Sequence, residues 1–376
     1  MHRIKEHSII KKVSDCIIQQ GDGIVQNIEK IDKNFKVNTK INKDDIVFCS
    51  VMQEPFSVHG LLYENGQFLR MPKAAAEKVS EGVNGLNPKC AGGRVRFKTD
   101  SAYIAISAKM HQLGKMAHFA YTGSMGFDMY TDEGEGIKFF GTFVPSGNIT
   151  EGYDSVLDFK DRRMREITIN FPLYSGVTQL HVGLQQDAAV MPAAPYSNKK
   201  PFVYYGSSIT QGACASRPGN AYSAILSRRF NVDYINLGFS GSGQGEPSMA
   251  EYIAGLDMDL FVMDYDHNAP NPEHLQNTHE KMFKTVRAAH PNIPIILMTA
   301  TSLDRFTGYM NAVRRDIIYQ TYSNAKQNGD ENVYFWDGTK EFAPYADYGT
   351  VEGLHPNDCG FWGIAKSLGD LMEKII

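Results

Sequence analysis

Two rhythms of apolar and polar residues divide the chain. Up to about residue 195 the apolar positions come in short runs between turn residues. The runs are Ile46–Phe48, Gly60–Tyr63, Gln67–Arg70, Arg94–Lys98, Tyr103–Ala108, Ile137–Phe143, Arg165–Phe171 and Gln179–Leu184. Several alternate apolar with polar residues, as a strand with one buried face does. Many short strands punctuated by Gly, Pro and Asp predict a β-sandwich. One brief stretch, Ala74–Ser80, reads as helix. Met191–Pro201 carries three prolines in eleven residues, which breaks both periodicities and reads as a stiff linker.

From Pro201 onward the rhythm changes. Strand-like Phe202–Tyr205 precedes helix-like Asn220–Arg229. Tyr234–Leu237 precedes a helix near Ser248–Gly255. Leu260–Met263 precedes a helix from about Pro272 to His290. Ile293–Thr299 precedes a helix near Tyr309–Gln327. Val333–Trp336 precedes a long loop and a helix from about Gly360 to the end. Five strands alternating with five helices predict an α/β fold, a parallel sheet covered on both faces. The expected division is 1–195, sandwich with linker, and 196–376, α/β domain.

Composition changes this picture little. A length of 376 residues allows two domains on a prior of roughly 150 each. Hydrophobic content of 42% and charged content of 21% are those of a soluble globular protein. The formal net charge is -4 with no sustained basic run, which argues against a nucleic-acid partner. The longest apolar runs, such as Ile293–Met298, are too short to span a bilayer. Met1–His7 leads into no apolar segment of the kind a signal peptide needs. The cysteines, Cys16, Cys49, Cys90, Cys214 and Cys359, are odd in number and form no Cys-x-x-Cys pair. Neither a zinc ribbon nor a disulfide framework is suggested, and reduced thiols in a cytoplasm are expected.

The candidate chemistry lies on strand-to-helix turns. In a parallel sheet these turns share one edge, where open α/β sheets build their sites. The first turn, Gly206-Ser-Ser-Ile-Thr210, presents Ser208, a candidate nucleophile or else a serine capping the next helix. The second, Gly238-Phe-Ser-Gly-Ser-Gly-Gln-Gly245, offers backbone N–H groups without side-chain obstruction. The third, Asp264-Tyr-Asp-His-Asn268, offers an amide at Asn268, which is either a donor to substrate or a cap for the helix near Pro272. The last loop, Glu352-Gly-Leu-His-Pro-Asn-Asp358, holds a histidine three residues after a carboxylate. His355 can take a serine proton while Glu352 holds its other nitrogen; the alternative is a loop histidine capping the last helix. Nucleophile, base, acid and convergent donors are what acyl transfer requires.

These residues carry a resemblance. Residues 201–376 resemble the SGNH or GDSL-like hydrolase superfamily of esterases and acylhydrolases. Gly206-Ser-Ser-Ile-Thr resembles its first block and Asn236-Leu-Gly-Phe-Ser-Gly241 its second. Asp266-His-Asn268 stands at its third, and Glu352-Gly-Leu-His-Pro resembles its Asp-x-x-His block. The resemblance implies a flavodoxin-like three-layer α/β/α sandwich with Ser208 as nucleophile and His355 as base. It also implies an oxyanion hole from Ser208, Gly241 and Asn268. Ser207 stands where the family has an aspartate beside the nucleophile. Glu352 stands where it has the triad aspartate, with Asp264, Asp266 and Asp358 as other candidates for the acid. Leu69-Arg-Met-Pro72, Ala91–Asp100 and Gly126-Phe-Asp-Met-Tyr130 resemble the β-sandwich domain that precedes one branch of these hydrolases and is named for a Gly-x-Asp-Leu-Tyr signature.

The resulting expectation is a two-domain serine esterase acting on small acyl esters, with acylated sugars as the substrate class the family implies. No cofactor or metal is implied: Asp266, His267 and His355 have no recognised ligand spacing. Gly241, Gly243 and Gly245 lack the full spacing of a dinucleotide loop. His267 and Arg217 are candidate substrate-binding residues, each with a packing role as the alternative. Tyr121, Phe127 and Tyr130 are candidates for an aromatic wall supplied by the sandwich, with the core as the commoner place for strand aromatics. Cys214 reads as a small buried filler. An acyltransferase with the same triad and a non-catalytic carbohydrate-binding protein are the rival readings.

Overall fold

A computed structural model describes residues 41–301 and 311–376. Cys16 and the start of the helix expected near Tyr309 lie outside the described residues. The short alternating runs of the first half form strands β1 (Ile46–Ser50), β2 (Ser57–His59), β3 (Leu62–Glu64), β4 (Gln67–Leu69), β5 (Arg94–Thr99) and β6 (Tyr103–His111). They continue with β7 (Phe127–Asp132), β8 (Lys138–Phe143), β9 (Gly152–Asp158), β10 (Arg165–Asn170), β11 (Gly176–Gln185) and β12 (Val190–Met191). One antiparallel sheet runs β1-β11-β6-β9, and a second runs β12-β5-β10-β7-β8 with β2 added to β5. Their facing residues, among them Phe97, Ile104, Ile106, Ile167 and Val182, are fully buried in one cluster, the core of a β-sandwich. β3 and β4 form a separate hairpin whose turn residues, Asn65 and Gly66, both have positive φ, as a two-residue hairpin loop requires.

Several strands and helices are absent from the periodic reading. β9, Gly-Tyr-Asp-Ser-Val-Leu-Asp, is nowhere fully buried and carries residues that disfavour strands. It is drawn into extended form by pairing along β6. The helix Glu81–Leu86 contains two glycines and gives little local signal. Ser80 caps it by accepting from the Val83 N–H at 3.2 Å, and Val83 is buried against the α/β part.

The second half holds β13 (Phe202–Gly206), β14 (Tyr234–Gly238), β15 (Leu260–Asp264), β16 (Ile295–Met298) and β17 (Val333–Trp336). They form one parallel sheet in the order β14-β13-β15-β16-β17. β13 shows why the fold has three layers. Phe202 and Tyr204 face one buried cluster, with residues from the helices Tyr222–Phe230 and Asp358–Met372. Val203 and Tyr205 face the other, with residues from Pro247–Ala254, Pro272–Ala289 and Asn311–Gln327. Apolar residues on both faces of a strand require cover on both sides. The strand order reverses between β13 and β15, and crevices at the carboxyl ends of strands open at such a reversal.

The two halves share buried clusters. Ala91, Phe119, Leu173 and Tyr174 complete one cluster of the α/β part, and Met71, Ala76 and Val83 complete the other. Arg94 on β5 is fully buried and pairs with Asp233 just before β14. The linker is fastened as well: Tyr196 OH accepts from Arg94 Nε at 2.8 Å, and the Ser197 N–H donates to Asn231 O at 2.8 Å. Among the described residues no helix is long and apolar enough to cross a membrane.

Candidate active site

The turn after β13 begins with a close approach. A side chain at Gly206 would meet the Asp264 carbonyl at 2.1 Å, so only glycine fits there. The next residue, Ser207, is fully buried and caps the helix Ser208–Gln211 by accepting from the Ile209 N–H at 3.2 Å. The capping task thus falls to Ser207. The Ser208 hydroxyl points instead to the last loop, 147 residues away, with its oxygen 2.9 Å from His355 Nε2.

That loop is closed on itself. The Val351 N–H donates to His355 O at 2.9 Å, and Thr350 forms an isolated bridge with Pro356. Gly353 takes φ 93, a backbone conformation that glycine adopts without strain. The turn brings Glu352 back onto His355. The carboxylate accepts from His355 Nδ1–H at short range and from the His355 backbone N–H at 3.3 Å. A carboxylate on Nδ1 leaves Nε2 as the lone-pair nitrogen, so the Ser208 hydroxyl donates to it. Asn357, not His355, caps the last helix, accepting from the N–H groups of Cys359 and Gly360 at 3.0 and 3.2 Å.

The other candidate acids are engaged elsewhere. Asp358 accepts from the Ser216 N–H at 2.8 Å. Asp266 accepts from the Ala300 N–H at 2.8 Å. Asp264 is buried and accepts from Thr210 Oγ1 at 2.8 Å and Tyr222 OH at 3.2 Å. Burial, with Asp266 nearby, raises its carboxyl to about 8. Asp264 favours the folded state while it is protonated, so its contribution is complete below the ordinary carboxylate range. The contribution is lost as pH rises towards about 8. The melting temperature is expected to fall over that interval, and Asp264→Asn, which cannot ionise, is expected to flatten the fall. Thermal unfolding of both proteins across the interval measures this; equal slopes would place the titration elsewhere.

The second and third turns meet beside the first, where the Phe239 N–H donates to Gly206 O at 2.9 Å. Gly241 is exposed at φ 70, and a side chain built on it would meet nothing within 4 Å. Neither its N–H nor that of Ser208 has a protein acceptor among the described residues. Phe239 O gathers three donors: the N–H groups of Ser242 and Gly243, each at 2.9 Å, and Asn268 Nδ2 at 2.8 Å. Asn268 therefore fixes the second turn with one amide hydrogen and keeps the other. Asn271, not Asn268, caps the following helix, accepting from the His274 N–H at 2.8 Å. Arg70, from the Leu69-Arg-Met-Pro block, lies behind this turn, donating to Gly238 O with its guanidinium 4.1 Å from the Phe239 ring centre.

If Asn268 stabilises developing oxyanion charge, Asn268→Ala is expected to lower kcat by roughly 10²–10³ with little change in KM. Steady-state kinetics on a p-nitrophenyl ester measures the split. A change in KM alone would mean that the amide binds ground-state substrate or only tethers the turn.

The structure corrects three expectations from sequence. Arg217 is not available to a substrate anion: its guanidinium pairs with fully buried Asp128 at 3.2 Å, donates to Tyr130 OH and lies 3.7 Å from the Phe139 ring centre. Removing the arginine would leave the fully buried Asp128 carboxylate without its cation, which marks a structural tie. Phe127 is fully buried in the sandwich core and Tyr130 is committed to Arg217, so of the proposed aromatic wall only Tyr121 is exposed. The Gly126-Phe-Asp-Met-Tyr130 signature is accordingly a clasp: Asp128 also accepts from the Gly219 N–H at 2.8 Å, so its two polar residues grip Arg217 and Gly219.

His267 lies beside the site with both ring nitrogens shielded from solvent and without a hydrogen-bond partner among the described residues. Burial lowers its pKa, which keeps the ring neutral. The site also contains a residue that sequence reading missed. His118, in the sandwich loop after β6, is exposed, with its ring centre 5.8 Å from that of His355. The sandwich thus borders the cleft. Nothing in the pattern around His118 announces this. The described cysteines form no disulfide, and burial pushes the Cys214 thiol up to about 12.

Comparison with known proteins agrees with the class that the fold and site define, a hydrolase acting on esters. Residues 199–375 match the model of the GDSL-like lipase/acylhydrolase family, and residues 46–190 match the model of the N-terminus of SGNH-hydrolase-type esterases. The α/β part of the chain is thus similar to the GDSL-like lipase/acylhydrolase family, and its sandwich to the domain that precedes SGNH-hydrolase-type esterases. A candidate GDSL-like lipase from Bacteroides ovatus is 28% identical over 88% of this chain and 98% of its own, with a TM-score of 0.79. The salicylyl-acyltransferase SsfX3 of a tetracycline biosynthetic pathway is 20% identical over 89% of this chain and 98% of its own, with a TM-score of 0.73. The acetyl xylan esterase Est2A from Butyrivibrio proteoclasticus is 14% identical over 88% and 98%, with a TM-score of 0.54. The last two show likeness of fold. The curated proteins give no match.

Proposed function

We propose that the chain is a serine esterase that removes small acyl groups through an acyl-enzyme on Ser208. The observation that carries this reading is the continuous hydrogen-bonded path Ser208–His355–Glu352 at the carboxyl edge of the parallel sheet. In this reading Ser208 Oγ attacks the ester carbonyl as His355 Nε2 takes its proton. Glu352 holds the imidazole tautomer and stabilises the imidazolium. The N–H groups of Ser208 and Gly241 and the amide of Asn268 receive the oxyanion. His355 then delivers its proton to the departing alkoxide. Water, deprotonated by His355, attacks the acyl-enzyme and releases the acid.

For substrate we propose acylated sugars, acetyl esters first. The likeness to an acetyl xylan esterase over most of both chains motivates the choice. Incubation with acetylated mono- and oligosaccharides, with released acetate measured, tests it; turnover of p-nitrophenyl acetate without turnover of any sugar ester would overturn the sugar assignment. A fluorophosphonate probe on the intact protein, followed by peptide mass analysis, tests the nucleophile and should label Ser208. Adding an alcohol acceptor and analysing products separates hydrolysis from acyl transfer, the activity named for one fold neighbour.

A further inference from the structure

His118, Cys214 and His355 come from three separate segments and meet at one point. His118 belongs to the sandwich, Cys214 follows the helix Ser208–Gln211, and His355 stands before the last helix. One donor atom from each, two ring nitrogens and a sulfur, lies within 4.8 Å of the other two. The Cys214 N–H donates to Pro356 O at 3.0 Å, which holds the thiol's backbone against the residue after His355. His355 is held in turn by Glu352. His118 is exposed, so its ring can rotate towards the pair.

Two imidazoles and one thiolate are a donor set for a borderline-soft cation. Zinc takes nitrogen at about 2.0–2.1 Å and sulfur at about 2.3 Å in tetrahedral geometry, which places donors roughly 3.4–3.7 Å apart. A closure of about 1 Å brings the three atoms to that spacing, within the reach of a rotation of His118. The fourth position is left to water. Oxygen-preferring Mg²⁺ and Ca²⁺ do not suit these donors.

We propose that His118, Cys214 and His355 form a reversible inhibitory site for a divalent cation of the zinc type. The consequence for turnover rests on the reading of His355 as the base. Both nitrogens of that ring are already in use, Nε2 towards Ser208 and Nδ1 towards Glu352. A bound cation takes one of them, so it removes either the base's lone pair or the acid that orients it. On binding, the Cys214 S–H bond is replaced by a sulfur–metal bond and the proton leaves to solvent. The change is not a redox step, and a chelator reverses it.

The test uses the full chain freed of metal, titrated with Co²⁺ and then Zn²⁺. One ion per chain is expected, with a thiolate-to-cobalt charge-transfer band that Zn²⁺ abolishes by displacement. p-Nitrophenyl acetate hydrolysis is expected to fall in step with zinc occupancy, to recover with EDTA and to ignore Mg²⁺. Cys214→Ser is expected to remove the cobalt band. His118→Gln, an exposed change that does not disturb packing, is expected to weaken zinc binding by more than the roughly tenfold typical of losing an outer partner. Absence of the band in the unaltered chain would overturn the proposal, as would zinc affinity unchanged in both variants. Zinc inhibition without a cobalt band would overturn it too, because the inhibiting ion would then lie away from Cys214. The spectrum does not depend on turnover. A chain that shows the band but hydrolyses no ester keeps the site and overturns the esterase reading, whereas an active chain with neither band nor zinc inhibition does the reverse.

Discussion

Ser208→Ala is expected to lower kcat on p-nitrophenyl acetate by about 10⁶, the largest effect of any single change considered. In the proposed mechanism the hydroxyl supplies the bond-forming oxygen, and alanine leaves no other nucleophile at that point. Cys214 does not substitute for it, because burial keeps its thiol protonated at neutral pH. The fold is expected to survive. Ser207, which remains, caps the short helix, and the Ser208 side chain is bonded only to His355 among the described residues. A change outside the core of this kind shifts stability by about 0.5 kcal/mol or less. Matched measurements of kcat, fluorophosphonate labelling and thermal unfolding check the three parts. A variant that turns over at the unaltered rate would place the nucleophile elsewhere.

Glu352→Gln is expected to lower kcat by about 10⁴, the cost of the equivalent acid-to-amide change in serine proteases. The mechanism is a tautomer error. Glutamate accepts from Nδ1–H and from the His355 backbone N–H. The glutamine amide offers a donor to Nδ1, which moves the ring proton to Nε2, where it blocks proton transfer from Ser208. The loop itself is expected to hold, because its bridge between Thr350 and Pro356 and its Val351-to-His355 bond use only backbone. Glu352→Asp separates charge from reach. The carboxylate shortens by one methylene, and the loop is fitted to glutamate at short range, so an intermediate rate is expected. A log kcat/KM profile against pH, read on its acid limb, measures the histidine in each variant. If Glu352→Gln retains near-full activity, Ser208 and His355 act as a dyad.

Much of the α/β part was legible along the chain. Phe202-Val-Tyr-Tyr is apolar on both faces, and such a strand belongs inside a covered parallel sheet. The pairing of Glu352 with His355 was also legible, because residues three apart on one tight loop reach each other without help from the rest of the chain. The motif order was enough to suggest which four turns share one edge. Where local signal was weak the reading failed. The helix Glu81–Leu86 has two glycines, and β9 has its glycine and aspartates; both owe their form to the surfaces that cover them.

The functional distinctions within each motif were decided in three dimensions. Ser207 and Ser208 are neighbours of equal chemistry, and only the position of His355, 147 residues later, gives one the cap and the other the base. The same division separates Asn268 from Asn271 and His355 from Asn357. Asp128 and Tyr130 stood in a visible signature whose purpose was invisible, because the groups they grip, Arg217 and Gly219, lie about ninety residues further on. His118 carried no signal at all. By itself the sequence determined most of the strands, the parallel sheet covered on both faces, the turns at its carboxyl edge and the placing of a carboxylate beside the histidine, since periodicity and short-range reach are local properties. Tertiary structure alone decided which polar side chain is spent on holding the backbone and which is left to face the cleft. The physical reason is that a hydrogen bond goes to whatever partner folding brings within about 3 Å, and for these residues that partner belongs to another turn or another domain.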